Sequence, residues 1–405
     1  MTTKVEIGFD LSVNGVGSWF TLDDAAKGVL DNATYTLAGE VLVDVTDKVR
    51  DISIKRGRSR TLEKFTAGVA SVVLDNRDRA FDPLYAASPY YGSIVPRKMV
   101  RISRDNVTLY TGNIEQYAWS YDVGGDATAT AQAVDGFATL AQATLTPGTA
   151  TAQDTGARIS AILTDAGWPL TQRVISTGAA TLDANVVGDN VGALAAIGQV
   201  ELSEPGAAFV NANGAFTFLS RADLQNFTTG GITFGTDVPF VEYRAASVTE
   251  DMKNSVAVTW SAGTVVGGTA TATDATSIAT YGSFDVAYDT LLPDSTQAQA
   301  LADWLVSTYK DPTYRIDSVT VALHGCTDSQ VAQVLALELG DNVGVAWTPN
   351  SIGSAISQSV VIDQIEHHAS PGVEHHITFT LSQSLAAFLL DSATFGILDS
   401  SALGF

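Results

Sequence analysis

Four histidines within ten residues form the densest group of chemically versatile side chains in this sequence: His367, His368, His375 and His376. Imidazole side chains bind zinc, and they titrate near neutral pH. The dipeptide Pro371-Gly372 favours a turn between the two histidine pairs and therefore predicts a hairpin. Because side chains alternate along a strand, the two members of each pair would face opposite sides of the sheet.

Two interpretations of the histidine group follow. One is a metal site that takes one histidine from each strand and a carboxylate from Glu366 or Glu374. The other, which we favour, is a set of polar residues at a hairpin end, lying at a subunit interface that could respond to pH. We therefore predict no metal and no cofactor.

A second candidate is the polar turn that follows the apolar run 69–74. Its oxygen-bearing side chains are Asp75, Asn76, Asp78 and Asp82. Such oxygens can bind calcium, but the spacing lacks the glycine and the distal glutamate of an EF-hand loop. We expect instead a turn closed by Arg–Asp pairs from Arg77 and Arg79, ending where Pro83 keeps its predecessor extended.

The sequence carries no recognisable catalytic motif. Chance carboxylate pairs are plentiful among its 44 acidic residues, so a glycosidase pair cannot be identified. The single Cys326 has no catalytic pattern around it and is expected to be a buried structural thiol. Tyr90, Tyr91, Trp119 and Tyr121 could stack on sugars, although packing in the core or at a subunit contact is favoured. We predict that the chain is not an enzyme.

Composition predicts a globular chain of several domains. The 405 residues include 45% hydrophobic and 35 glycine residues, which favours two to four domains with many short strands and turns. No apolar run is long enough to span a membrane, and no signal peptide is evident, so we expect synthesis in a cytoplasm.

Charge is distributed unevenly along the chain. Residues 48–104 contain 13 Lys or Arg and 5 Asp or Glu, a net charge of +8 within a chain of net charge −22. No Lys or Arg follows Arg315. The acidic body argues against sequence-specific nucleic-acid binding, whereas the basic segment suits an acidic protein neighbour. Improved solubility alone would also explain the asymmetry.

Residue patterns predict a mainly β protein with an α+β insertion. We expect an antiparallel β domain over residues 1–145, a small α+β domain over 150–235, a second β domain with one helix over 240–385, and an extension over 386–405. In the insertion we predict a helix capped by Asp154 and stopped by Gly167, a second helix over 190–200, and a hairpin whose Asn213-Gly214 forms a type I′ turn. A further helix should start at Asp294.

Several stretches in order along the chain resemble tail-hub, or minor tail, proteins of long-tailed bacteriophages. They are residues 45–58, 74–83, 88–90 and 97–102, then 166–169 and 209–218, then 277–282, 299–309, 338–343 and 365–368, and finally 395–405. The last stretch is similar to the C-terminal motif of minor tail proteins from phages that infect actinobacteria.

The resemblance implies a baseplate-hub-like structural protein at the tail tip of the virion, assembled in the host cytoplasm. It implies two antiparallel β-barrel-like hub domains flanking the α+β domain, and a homotrimer that matches a six-fold tube or distal tail ring to a three-fold tip. Implied partners are the distal tail protein, other tail-tip proteins, the tape measure protein, and phage DNA that passes through a channel without sequence-specific binding. A receptor-binding tail protein that recognises a cell-wall glycan is the first alternative, and a tail-associated cell-wall hydrolase is the second.

Two groups of residues are candidates for contacts with such partners. The basic residues proposed to dock on an acidic ring neighbour are Arg56, Arg58, Arg60, Arg77 and Arg79. The C-terminal residues proposed to pack on a partner or a neighbouring subunit are Phe395, Leu398, Leu403 and Phe405.

Overall fold

A computed structural model describes residues 3–9, 41–60, 63–225, 231–247, 249, 251–263 and 265–383. Strands outnumber helices throughout this part of the chain, which confirms the mainly β prediction. The barrel-like form and the domain boundaries stay predictions. Among the described residues, no helix combines the length and the apolar character needed to cross a membrane.

The first segment consists of antiparallel strands followed by one short helix. Its elements are β1 (Thr3–Phe9), β2 (Val41–Asp44), β3 (Val49–Gly57), β4 (Thr66–Asp75), β5 (Met99–Arg104), β6 (Val107–Tyr121), β7 (Ala127–Val134) and α1 (Phe137–Gln142). Alternation explains these strands, since every second residue of β4 and β7 is buried in the core.

The middle segment mixes helices with short strands. Its elements are β8 (Gly148–Ala150), β9 (Gln153–Asp154), α2 (Thr155–Asp165), β10 (Arg173–Ile175), β11 (Thr181–Leu182), β12 (Asn185–Val187), α3 (Ala193–Ser203), β13 (Ala207–Val210), β14 (Phe216–Leu219), α4 (Arg221–Gln225) and β15 (Thr233–Phe234). As predicted, the Asp154 side chain caps α2 by accepting from the Ala157 N–H, and Gly167 lies just beyond the helix with φ 75°.

The last segment returns to long strands. Its elements are β16 (Glu242–Ser247), β17 (Ser255–Ala262), β18 (Val265–Thr273), α5 (Ala275–Tyr281), β19 (Asp285–Asp289), α6 (Ser295–Tyr309), β20 (Tyr314–Ala322), α7 (Asp328–Leu335), β21 (Asn342–Trp347), β22 (Ile356–Ser370) and β23 (Glu374–Gln383). Asp294 caps α6 through the Gln297 N–H, as predicted.

One large sheet unites the first and last segments. Its strand order is β16-β20-β23-β22-β3-β4-β7-β6-β5-β1-β2, with β21 pairing β22 and β15 pairing β21. The main apolar core contains residues from all three segments, including Ile54, Phe216 and Phe379. A smaller core lies where α6 packs on β17 and β18.

Two local predictions need correction, and one helix was missed. The hairpin β13–β14 forms, but only Gly214 has positive φ in its turn, whereas a type I′ turn needs two such residues. The turn instead spans 211–214, with the Gly214 N–H donating to the Asn211 carbonyl over 2.9 Å. Helix α3 begins three residues later than predicted because Asn190 is left-handed, at φ 60°. Helix α7 was not predicted, although Thr327 and Gln330 form a capping box before it.

Candidate functional site at the seam between the first and last segments

Strand pairing joins the beginning and the end of the chain in the middle of the large sheet. Strands β3 and β22 run antiparallel, with Ala369 opposite Ile52 and Gln364 opposite Gly57. We call this pairing, with the side chains that contact it, the seam. Both strands are internal to the sheet, since β3 also pairs with β4 and β22 also pairs with β23.

A buried ion pair closes one end of the seam. Arg58 Nε and Nη2 donate to Asp363 Oδ1 over 2.9 and 2.8 Å, and the side chains are only 7% and 2% exposed. The guanidinium also lies 4.5 Å from the centre of the Phe65 ring. Each of these two charges compensates the other, so loss of either one would leave an uncompensated buried charge.

The backbone at this end is fitted to the ion pair. Asp363 lies where the register of β22 shifts between its neighbours, and its carbonyl accepts from the Arg58 N–H over 2.9 Å. Gly57 has φ 119°, and a Cβ atom on it would lie 2.1 Å from that carbonyl oxygen. The close approach of the two strands therefore requires glycine at position 57.

Further basic residues of β3 also pair with acidic residues of the last segment. Nη1 of the buried Arg56 lies 2.7 Å from Oε1 of the partly exposed Glu338, and Lys55 Nζ lies 2.7 Å from Glu366 Oε1 at an exposed position. The charge asymmetry of the sequence is thus partly neutralised within the chain. These basic residues therefore pair with acidic residues of the same chain, in its last segment.

The histidine hairpin forms as predicted, with β22 and β23 joined by a turn in which Gly372 has φ 77°. His367 and His375 are buried, and their neighbours His368 and His376 face the other side, which confirms the alternation. His367 Nδ1 lies 3.1 Å from His375 Nε2. As predicted, one histidine of the first pair lies beside one histidine of the second.

Arginine rather than carboxylate surrounds the buried histidine pair. Arg104 Nη1 lies 2.6 Å from His375 Nδ1. Glu366 pairs with Lys55 and Glu374 with His376, so neither completes a metal site with the buried pair. Burial, with the positive charge of Arg104, lowers the pKa of His375 to about 3, and burial lowers the pKa of His367 well below its ordinary value. The described residues include no group of three metal-ligating side chains.

The polar turn after β4 consists of Arg–Asp pairs, as predicted. Arg77 Nε lies 2.9 Å from Asp75 Oδ2, and Arg79 Nε lies 2.8 Å from Asp82 Oδ2. Hydrogen bonds from Arg77 hold the pKa of Asp75 far below its usual range, and the backbone N–H of Leu84 is the main cause of a lowered pKa at Asp82. Cationic side chains already pair with these carboxylates, and their positive charge disfavours the binding of calcium there.

Three other described carboxylates have raised pKa values with burial as the main cause, namely Asp135, Glu201 and Asp341. Burial raises the pKa of Asp135 to about 6 and that of Glu201 to about 7. Asp135 accepts from the Gly68 and Phe137 N–H groups over 2.6 and 3.0 Å. Asp135 therefore fixes the backbone around β4 and α1.

The aromatic candidates divide between the core and the surface. Tyr90 stacks on Phe9 with 4.2 Å between ring centres, which confirms core packing for this residue. Trp119 and Tyr121 remain 38% and 54% exposed, so a contact outside the chain stays a prediction for them. Cys326 was expected to be buried, and it is half-buried with its pKa raised by burial.

The predicted docking residues lie in different environments. Arg56 and Arg58 were assigned to a surface, but they are buried and act within the chain, because acidic partners from the last segment reach them. Arg77 and Arg79 lie on an exposed turn, where docking remains a prediction, and Arg60 follows β3 at the end of the described stretch 41–60. The C-terminal candidates lie outside the described residues: Phe395, Leu398, Leu403 and Phe405.

Three residues of the seam were not identified from the sequence, namely Arg104, Glu338 and Asp363. The charge asymmetry indicated that basic residues would meet acidic ones. It could not say which would meet, because Arg58 and Asp363 are 305 positions apart.

Neither a protein-family model nor a curated protein sequence matches the chain. Among the solved structures with a similar fold are two tail proteins. The 43 kDa tail protein of prophage MuSo2 from Shewanella oneidensis has a TM-score of 0.58 and 13% identity, with 85% of this chain and 97% of that chain covered. The tail protein from Neisseria meningitidis has a TM-score of 0.59 and 10% identity, with 94% and 96% covered. At identities this low, the structural likeness shows a shared fold alone.

Proposed function

We propose that this chain is a structural protein of a bacteriophage tail. The observation that carries the proposal is its fold likeness to a prophage tail protein and to a second tail protein, over at least 85% of each chain.

Within the tail we assign the chain to the tip, as a homotrimeric hub between the six-fold tube or distal tail ring and a three-fold tip. Edge strands support an assembling role, since β16 and β2 end the large sheet in the described part of the chain and leave one side without a strand partner there. Arg77 and Arg79 on their exposed turn are the docking residues we retain. Neighbours would be the distal tail protein, other tip proteins and the tape measure protein.

Passage of DNA is compatible with the charge of the chain. A net charge of −22 repels the phosphate backbone, so DNA can move along a channel without being held. We accordingly expect no retardation of duplex DNA by the purified protein at 0.15 M salt.

The mass of the purified 42.4 kDa chain in solution tests the hub assignment. Light scattering should give a trimer, and class averages of its particles should show a ring with pseudo-six-fold outline. A monomer over the whole accessible concentration range would overturn self-assembly into a trimer.

A separate experiment, antibody labelling of virions from cells that carry the gene, tests the location of the protein. Label at the tail end is expected, and unlabelled tails would overturn the tail assignment.

We also propose that the chain acts without catalysis. Of the described acids with raised pKa values, Asp135 and Glu201 are buried, and Asp341 accepts from the Glu338 N–H over 2.8 Å. No clearing of cell-wall material in a zymogram is expected. Clearing that is lost on replacing one acid would support the hydrolase alternative instead.

One observation favours the receptor-binding alternative. Trp119 and Tyr121 lie on the same strand and stay exposed, as residues that stack on sugars do. Binding of a cell-wall glycan that is lost in Trp119→Ala and kept in Val123→Ala would support it. The control residue is fully exposed and two positions beyond the aromatic pair.

A further inference from the structure

A groove of about 450 Å³ lies between the first and middle segments, and we call it the polar groove. Its floor is one face of the β5–β6 pair, where Met99 lies opposite Asn113 and Arg101 lies opposite Thr111. Val100, between Met99 and Arg101, is buried in the core on the other face. The volume falls within the roughly 300–1,000 Å³ of pockets that hold small organic ligands.

Two parts of the middle segment complete the polar groove and are held in place by contacts within the chain. One is the turn of the β13–β14 hairpin, which contacts β6 closely, since a Cβ atom on Gly214 would lie 3.3 Å from Thr111 Cγ2. The other is the stretch after α2, where Trp168 Nε1 donates to the Gln172 carbonyl over 2.7 Å. A Cβ atom on Gly136 would lie 2.2 Å from the Trp168 ring, so this stretch also packs tightly on the start of α1. The groove is thus formed without a ligand, which lowers the cost of binding one.

Neutral hydrogen-bonding side chains converge on the polar groove from both segments. None of them makes a side-chain hydrogen bond with the described part of the chain: Thr108, Thr111, Asn113, Thr139, Gln172 and Asn213. Exposed apolar side chains, those of Met99 and Pro169, lie on the same wall. The wall therefore offers unused donors and acceptors next to apolar surface.

The charge on this wall is compensated. Among the described residues that line the polar groove, Arg101 alone is charged, and its Nε and Nη2 lie 2.8 and 2.7 Å from Glu6 Oε2. An arginine that is already paired attracts an anion weakly, and a wall without a carboxylate lacks the ligands that cations prefer. The groove is neutral in a chain of 44 acidic and 22 basic residues, which favours a neutral ligand.

From these features we infer that the polar groove is a binding site for a neutral saccharide unit. Sugar hydroxyls donate and accept, and so do the threonine hydroxyls and the amides of the wall. Water would satisfy those groups but leave Met99 and Pro169 hydrated, whereas the C–H face of a sugar ring would cover them and release that water. Neither Trp119 nor Tyr121 lines the groove, so this site is separate from the exposed aromatic pair. The inference is independent of the proposed tail function.

The test uses the full chain and separate calorimetric titrations with maltose, lactose and di-N-acetylchitobiose, of which at least one should bind. The matched variants are Thr111→Val, which removes a hydroxyl from the polar groove, and Thr130→Val, which makes the same change on β7 outside the groove. We expect about a fivefold or larger loss of affinity in the first and less than about a twofold change in the second. Equal affinities in the two variants, or no binding of any of the three sugars to the unmodified chain, would overturn the inference.

A second variant and a measurement on the unmodified chain keep the test valid if Thr111→Val does not fold. Asn213→Ala shortens an exposed side chain of the turn and should lower the affinity to a similar extent. In the unmodified chain, the methyl resonances of Met99 and Leu140 should shift on titration with the sugar, while those of Val123 stay constant. Shifts at Val123 alone would place the sugar near Tyr121, and equal shifts at all three residues would indicate a general effect of the solute. Either result would refute the site.

Discussion

Removing one charge of the buried seam pair should destabilise the protein severely. The change is Asp363→Asn, which keeps the shape of the side chain and its place in β22 but removes the negative charge facing Arg58. The remaining guanidinium is 7% exposed, so water cannot compensate it. An uncompensated buried charge costs about 3–5 kcal/mol. This is a large part of the roughly 5–15 kcal/mol by which folded domains are usually stable.

A matched control exists on the same two strands. Glu366→Gln breaks the pair with Lys55, which also crosses from β22 to β3 but has side chains 39% and 53% exposed. Solvent screens such a pair, so we expect a loss of at most about 1 kcal/mol. Replacing both buried charges, as in Arg58→Met with Asp363→Leu, should recover more than half of the loss because no lone charge remains.

Urea unfolding followed by tryptophan fluorescence and by far-ultraviolet circular dichroism measures these losses. The two probes also show whether the first and last segments unfold together, as expected when one sheet joins them. The reasoning is wrong if Glu366→Gln destabilises as much as Asp363→Asn, or if Asp363→Asn costs less than about 1 kcal/mol.

Two further predictions concern the seam. Below pH 6.5 the unfolded chain takes up protons at His367 and His375 that the folded chain excludes, because folding lowers both pKa values, so stability falls as pH drops from 6.5 towards about 3. Between pH 7.5 and 5.5, the free energy of unfolding of the unmodified chain should fall by about 3 kcal/mol more than that of the double variant with His367→Asn and His375→Asn, as measured by urea titration without phosphate. Equal falls in the two proteins would contradict this linkage. Gly57→Ala places a Cβ atom 2.1 Å from the Asp363 carbonyl oxygen and should lower the thermal unfolding midpoint strongly. The control Gly125→Ala, where no heavy atom lies within 4 Å of the added Cβ, should shift the midpoint far less. Comparable midpoints in scanning calorimetry would refute the close approach.

Local signals in the sequence were sufficient for most individual elements. Alternation identified β7, Asp294 identified the start of α6, and Pro371-Gly372 identified the hairpin of the buried histidines. Each signal works because it depends on a few neighbouring residues and the period of one element. Its failures are also local: one left-handed residue, Asn190, moved the start of α3.

The sequence by itself determined that this is a mainly β protein, with a basic early segment, an acidic late one and a histidine hairpin. Only the tertiary structure decided that the basic segment meets the chain's own late segment, burying Arg56 and Arg58 instead of leaving them to dock elsewhere. It also decided that Arg104, rather than a carboxylate, approaches His375. The physical reason is that charge and pattern are properties of short stretches, whereas the pairing of β3 with β22 depends on how the whole chain packs its apolar faces.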